Sequence, residues 1–333
     1  MMDFFETPAV RGEGSQRSAA FVAAAGRDRR SHWVPALLAF FIRRKILRQR
    51  IPLFASFKLT YRCNLACRAC PFHRRDGGNG AGMTWDAAVR ALEELKQRGT
   101  RIVVFEGGEP FLWRDGGWGL RELVDYAKRR FLRVAVTTNG TFPLDVPADV
   151  LWVSLDGTRD IHDGLRSGSF ARIWSNLEAA GVQRSGARIL VHFTMNRLNW
   201  RDLEPLAEQL TGLPAVKGIT LQLFYPYGQG EDPLALSAGE RREAVEAAIR
   251  LKGAYPILNS ERCLRGMILN DWTCRDDLLI NVDPDGRITQ GCYVKGRGRV
   301  DCRGCGFTPV AEASAALDLR PGSLLAGWRA YLS

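Results

Sequence analysis

The stretch Leu53–Cys70, LFASFKLTYRCNLACRAC, joins a short β-type run to a loop that holds three cysteines. Leu53–Thr60 is mostly apolar and free of Gly and Pro, which reads as a strand. Working outward, runs of the same kind return at Arg101–Phe105, Leu132–Thr137, Val150–Ser154, Ile189–Thr194 and Ile219–Phe224. Between most of them lie helical patterns, at Thr84–Gln97, Leu120–Arg130, Phe170–Ala180, Leu203–Leu210 and Ala238–Leu251. Strand followed by helix, repeated about six times, predicts a parallel sheet with outer helices. Six units are fewer than the eight of a closed barrel, so the expected fold class is α/β, a partial (β/α)6 TIM-like barrel. Chemistry in such folds collects at the C-terminal ends of the strands, and the cysteine loop follows the first strand directly.

The composition agrees with a folded protein. Charged residues make up 25% of the 333 residues and hydrophobic ones 46%, which excludes a disordered or collagen-like chain. No apolar run reaches the roughly 18 residues of a spanning helix. Residues 1–50 carry ten basic and four acidic residues, so they supply +6 of the net +11. The first 31 residues lack periodicity and read as a flexible basic arm. The segment 33–50 is apolar in its first half (WVPALLAFFI) and cationic in its second. It suits either a membrane interface, giving peripheral membrane contact, or a helix capping the following domain. Three domains follow: 1–51, the partial barrel 52–255, and a cysteine-rich segment 256–333.

There is no secretory signal, because Asp3 and Glu6 stand where an apolar segment would begin. A cytoplasmic chain with reduced thiols is expected, and its cysteine clusters read as metal ligands rather than disulfides. Cys63, Cys67 and Cys70 have the spacing C-x3-C-x2-C, with His73 as the only nearby candidate for a fourth ligand. Three thiolates on one short loop suit a 4Fe–4S cluster with one open iron. The next strands end in Gly107-Gly108-Glu109-Pro110, Thr138-Asn139-Gly140 and Ser154-Leu155-Asp156-Gly157, the last continuing to His162-Asp163 and Arg166.

In these motifs, taken in order, the chain resembles the radical S-adenosylmethionine (radical SAM) superfamily over about residues 53–253. Within it, the chain is similar to the subgroup of peptide- and cofactor-maturation enzymes. The resemblance implies that SAM chelates the open iron and is cleaved reductively to a 5′-deoxyadenosyl radical, which acts on an unactivated carbon. It implies contacts to SAM from the backbone of Gly107, Gly108 and Glu109, where glycine removes the Cβ obstacle. Asn139 belongs to the same group, and Ser154 and Asp156 are candidates for the ribose. Arg166 is placed against the carboxylate. Thr194 and Asn196 are further candidates. Ala69 stands where many members place an aromatic residue against adenine, with Phe72 as the nearest replacement.

The C-terminal cysteines form a second constellation. Cys274 and Cys292 flank a DPDG turn, Cys302 and Cys305 follow, and Cys263 lies upstream as a possible ligand or a buried thiol. They resemble a twitch/SPASM-like domain with a second 4Fe–4S cluster; a zinc ribbon on the same four cysteines is the other reading. The implied partners are SAM, a one-electron donor such as ferredoxin or flavodoxin, and a small-molecule or lipid substrate, with no nucleic acid. The leading functional expectation is modification of a membrane lipid, and the alternative is a peptide or cofactor maturase. A non-catalytic iron–sulfur or zinc protein binding nucleic acid is the third. The aromatic run Leu223–Gly228 suggests a pocket lining. His162 and His192 are candidates for proton transfer, and Gly77–Gly82 reads as a loop without the features of a phosphate cradle.

Overall fold

The computed structural model describes residues 33–70, 82–183, 186–226, 230–296 and 301–333. After helix α1 (Trp33–Phe41) come β1 (Phe54–Thr60), α2 (Trp85–Gln97) and β2 (Ile102–Gly107). A small hairpin, β3 (Arg114–Asp115) with β4 (Trp118–Gly119), leads to α3 (Leu120–Lys128), β5 (Arg133–Thr138) and β6 (Val150–Ser154). Then follow α4 (Arg159–Leu165), α5 (Phe170–Gln183), β7 (Arg188–Met195), α6 (Leu203–Leu210), β8 (Val216–Leu223) and α7 (Ala238–Leu251). The C-terminal segment adds α8 (Glu261–Leu269), β9 (Leu279–Val282), β10 (Ile288–Gln290), α9 (Thr308–Leu317) and α10 (Pro321–Tyr331). All six runs read as strands are strands. Thr84 stands outside its helix as the N-cap, accepting from the Ala87 amide at 3.3 Å.

The strands lie in the order β10-β9-β1-β2-β5-β6-β7-β8, parallel throughout except for β10. Alternation along each strand makes two layers. Ala55, Phe57 and Leu59 of β1 turn outward and are fully buried in one core cluster with Ala88, Leu92 and Leu95 of α2. Fully burying a leucine or phenylalanine contributes about 1.5–3 kcal/mol, so the outer layer carries much of the stability. Phe54, Ile102, Val104, Ala135, Val150 and Leu190 form an inner cluster near the N-terminal ends of the strands. The partial barrel expected from the sequence is the fold found.

The C-terminal segment joins the barrel sheet and adds to its core. β9 pairs with β1 from Phe54 opposite Leu279 to Phe57 opposite Val282, so the segment extends the barrel sheet. Its helices bury Leu264, Met267, Val310, Ala311 and Leu317. Helix α9 closes the gap between the sheet edges: Thr308 Oγ1 donates to the Leu221 carbonyl of β8 at 2.6 Å, and Ser314 Oγ accepts from the Arg275 amide at 3.0 Å. These are contacts between residues far apart in sequence, which local patterning does not report.

The apolar-cationic segment packs largely as a cap. Phe40 is buried in the inner cluster, and Trp33 meets Trp328 of α10 edge-on at 4.9 Å. Arg44 forks onto both oxygens of Asp277 at 3.0 Å, and Lys45 reaches Asp318 at 2.6 Å. Val34, Leu38, Ile46 and Leu47 remain exposed. Among the described residues no helix is long and apolar enough to cross a membrane.

Candidate functional site

The cysteine loop leaves the C-terminal end of β1 and is held by the Gly108–Glu109 and Asn139 motifs and by residues at the end of α4. The Thr60 carbonyl accepts from Gly108 N and the Arg62 carbonyl from Glu109 N, each at 2.8 Å. Asn64 donates to Thr141 Oγ1 at 2.8 Å and accepts from Asn139 Nδ2 at 2.9 Å, and that same amide lies 3.6 Å from Cys63 Sγ. Further along, Ala66 N donates to Ser167 Oγ at 3.1 Å and Arg68 N to the Leu165 carbonyl at 3.0 Å.

This contact requires the paired glycines. Gly107 has φ +121°, and a Cβ on Gly108 would lie 2.1 Å from the Arg62 carbonyl oxygen. The glycines make room for the cluster loop, and both also line the chamber described below. Glu109 is fully buried and accepts from Thr138 Oγ1, Asn139 N and Phe111 N. Burial pushes its carboxyl up to about 7 against those three donors. It is a pin between two strand ends.

Cys63, Cys67 and Cys70 together line the mouth of a chamber of about 620 Å³ inside the barrel. Burial raises the Cys63 thiol and pushes Cys67 up to about 11; neighbouring thiols add to both shifts, and Arg166 opposes the one at Cys67. Three soft donors face open space here. Among the described residues no three His, Cys, Asp or Glu side chains are gathered as a single-ion cage. A donor set of three thiols beside a roomy chamber fits a 4Fe–4S cluster with one iron left for another ligand. Loading it would displace the thiol protons.

Asp156 and Arg166 are paired with each other, and both line the chamber. Arg166 Nε donates to Asp156 Oδ2 at 2.5 Å, and Thr194 N to Asp156 Oδ1 at 2.8 Å. Both carboxylate oxygens are therefore engaged, which leaves Ser154, whose hydroxyl has no recorded partner among the described residues, as the freer candidate for a ribose. Ser154, Arg166, Thr194 and Asn196 all line the chamber. His162 does not. It is fully buried, accepts from Asp156 N through Nδ1 at 3.1 Å and meets Ser169 Oγ at 3.0 Å. Burial, then Arg166, lowers it to about 4, so it is a neutral structural ring. His192 lines the chamber, paired with Thr220 Oγ1 at 3.1 Å and likewise lowered to about 4, chiefly by burial.

Phe72, His73, Tyr227 and Gly228, and all but Gly82 of the Gly77–Gly82 loop, lie outside the described residues. Ala69 packs against Leu165 and Phe224, so an aromatic from the end of β8 approaches the position that the loop leaves small. Sequence patterning did not single out Ser56, Glu106, Trp152 or Tyr331, which also line the chamber. The inward phase of each strand is the signal that would have found Ser56, Glu106 and Trp152.

The second cysteine group gathers beside the chamber. Cys274, Cys292, Cys302 and Cys305 are close enough to couple electrostatically: Cys305 and Cys292 help raise Cys274, and Cys292 and Cys302 help raise Cys305, with burial the largest cause in each case. Tyr293 and Phe307, edge to face at 5.1 Å, stand with Tyr225 between this group and the chamber. Arg241 ties the group to α7 and α8 by donating to the carbonyls of Met267, Gly304 and Cys305 at 2.5, 3.0 and 2.5 Å. Cys263 stands apart, buried in α8 with its sulfur 4.0 Å from the Thr308 carbonyl.

Residues 57–210 match the sequence family described as the radical SAM superfamily. Mycofactocin maturase MftC of Mycobacterium tuberculosis is 33% identical over 283 residues, which cover 79% of this chain and 64% of MftC. The Fe-coproporphyrin III synthase of Methanosarcina barkeri is 28% identical over 202 residues, covering 57% of this chain and 49% of that protein. The chain thus spans about half to two-thirds of these curated relatives' length. Streptococcus suis SuiB bound to its precursor peptide SuiA superposes with a TM-score of 0.62 at 12% identity, over 86% of this chain and 72% of SuiB, a likeness of fold. Members of the matched family bind a 4Fe–4S cluster and SAM, and the three thiols here supply the donors such a cluster needs. With its cysteine loop and its strand-end motifs on one partial barrel, the chain carries a radical SAM domain over residues 57–210.

Proposed function

We propose that this chain is a radical SAM enzyme that modifies a peptide, as a maturase, within the chamber of its barrel. The observation that carries the reading is the convergence of Cys63, Cys67 and Cys70 on the mouth of that chamber. MftC, named as a maturase, favours a peptide or cofactor precursor as the substrate over a lipid. The exposed side chains of α1 are the one feature that favours a membrane.

Cys63, Cys67 and Cys70 would hold the cluster, and Cys274, Cys292, Cys302 and Cys305 a second one. When bound, the cluster and SAM supply one-electron cleavage of a sulfonium and a hydrogen-abstracting radical, chemistry that no side chain provides. The chain's own part is to bind, orient and keep dry. Gly107 and Gly108 let the loop seat against β2, and the Asn139 amide approaches Cys63 Sγ. The Arg166–Asp156 pair fixes a cation beside Cys67 and Cys70, and the Arg166 Nη groups, with no recorded partner among the described residues, can meet a carboxylate. The Ser154 hydroxyl is set to hydrogen-bond a ribose. The chamber's mostly apolar walls exclude water from reactive species. His192, neutral and engaged with Thr220, adds no charge.

The test is anaerobic: reconstitute with iron and sulfide, reduce in the presence of SAM, and quantify 5′-deoxyadenosine. Cys63→Ala, Cys67→Ala and Cys70→Ala should each abolish it, and an aqueous peptide extract of the source cells should stimulate the unaltered chain. Activity surviving in any single variant overturns the cluster assignment. Stimulation by a membrane-lipid extract alone overturns the maturase reading.

A further inference from the structure

The polar groups inside the barrel are arranged as a relay that ends on one carboxylate. Lys58 of β1 lies opposite Glu106 of β2 in register, and alternation places Ser56 on the same inner face. Lys58 is fully buried; its Nζ donates to Ser56 Oγ at 2.8 Å and lies 3.7 Å from Asp283 Oδ1. Ser56 in turn donates to Glu106 Oε1. A hydroxyl that accepts from an ammonium has its one proton free to give, so the relay runs from Lys58 through Ser56 to Glu106. The lysine is paired with Asp283, and it orients Glu106 through Ser56.

Three carboxylates line the chamber, and their oxygens differ in availability. Asp156 receives Arg166 and Thr194, and Glu312 receives the amide and hydroxyl of Ser260. Glu106 receives a donor on Oε1, while Oε2 has no recorded partner among the described residues. Aromatic side chains share the chamber with it. Trp152 and Tyr331 meet edge to face at 5.2 Å, and the charge of Glu106, after burial, helps hold the Tyr331 phenol protonated. The cations that line the same space are engaged elsewhere: Arg166 with Asp156, and Arg133 with the Tyr331 carbonyl at 2.6 Å. An oriented carboxylate with one open oxygen in a chamber lined by aromatic side chains suits a cation, which gains a charge-assisted hydrogen bond there.

We infer that Glu106 anchors the substrate through an ammonium or guanidinium group, which on a peptide means a Lys or Arg side chain or a free N-terminus. This rests on the chamber being the substrate site, as proposed above. The test is calorimetric titration of the anaerobically reconstituted chain with capped lysine amide, its neutral counterpart capped norleucine amide, and capped glutamate amide. A hydrogen bond to a charged group corresponds to a preference of about ten- to a hundredfold for lysine over norleucine, with glutamate weakest. Glu106→Gln, which keeps the shape, should reduce that preference to about onefold. Equal affinities in the unaltered chain, no measurable binding of the lysine amide, or a lysine preference that persists in Glu106→Gln at an unchanged melting temperature would each overturn the inference. If Glu106→Gln melts early, Ser56→Ala retains the carboxylate and loses its orienting donor, and it should narrow the preference; an unchanged preference there counts against the relay. SAM cleavage by the unaltered preparation, measured without any probe, tests the preceding reading separately.

Discussion

Replacing Gly108 by alanine should unseat the cluster loop without touching a cysteine. The new Cβ would meet Arg62 O at 2.1 Å, Tyr61 C at 2.6 Å and Arg62 C at 2.7 Å, where ordinary contact begins at 3.4 Å. Relief at the carbonyl oxygen alone requires 3.4 − 2.1 = 1.3 Å of movement. All three atoms are backbone, so no rotamer change can absorb it. The movement breaks or stretches the bonds from Gly108 N to Thr60 O and from Glu109 N to Arg62 O, worth about 1 kcal/mol each. Overpacking adds about 1–3 kcal/mol, so the expected loss is about 3–5 kcal/mol. Total stability of a domain is about 5–15 kcal/mol, so the variant should fold but be weakened.

Cys63 follows Arg62 directly, so the displacement reaches a cluster ligand. Urea unfolding of the two proteins measures the stability change, and iron bound after anaerobic reconstitution measures the consequence at the site. Gly164→Ala is the matched control, because its Cβ has nothing within 4 Å and it lies in α4. It should be neutral or stabilising by up to about 1 kcal/mol. Gly108→Ala within about 0.5 kcal/mol of the unaltered chain and with full iron would refute the argument, because such small changes are typical of surface sites that hold nothing in place.

Other expectations follow from the same contacts. Arg166→Met leaves Asp156, 5% exposed in its side chain, with the Thr194 amide as its remaining donor, and should cost about 3–5 kcal/mol in urea unfolding, partly restored by adding Asp156→Asn. Arg241→Ala removes the donors to the Gly304 and Cys305 carbonyls, and iron per reconstituted chain should fall from roughly eight toward four. Full iron retention there would show that the second cysteine group needs no such anchor. His162, lowered to about 4 from an unfolded value of about 6.5, is neutral in the fold, so its contribution is present above pH 6.5 and lost as pH falls through 4. The loss is about 3 kcal/mol, and His162→Asn should flatten urea stability between pH 6.5 and 4 by that amount.

The parts legible in the sequence are those whose cause is local. Leu53–Thr60 and its five counterparts show as strands because apolar side chains cluster over a strand's length, and Thr84 marks a helix start because its hydroxyl serves the next turn. The three-cysteine spacing lies within eight residues and needs no fold to be seen. What stayed hidden depends on pairing across the chain. The DPDG turn is readable between Leu279 and Ile288, but nothing near it says that β9 lies against β1. Asp156 and Arg166 were read as two ligands because spacing does not tell that their side chains meet each other first. Gly107 and Gly108 are positions of close approach, and spacing does not tell that the chain's own Thr60 and Arg62 come up against them.

The pairing of β9 with β1 also decides what the barrel is electrostatically. A lysine at the fully buried position 58 is costly unless an anion accompanies it. Asp283 does, from the turn after β9, where Tyr61 holds it by a hydroxyl hydrogen bond at 2.9 Å. The C-terminal segment therefore completes the interior as well as the sheet: Asp283 compensates Lys58, Tyr293 and Phe307 line the chamber beside the second cysteine group, and Tyr331 faces the interior from the last helix. A barrel that ended at β8 would lack the Asp283 carboxylate beside Lys58, the lysine that orients the donor to Glu106. The polar relay inside the barrel thus depends on the same segment that carries the second set of thiols, and this ties the two cysteine groups to a single chamber.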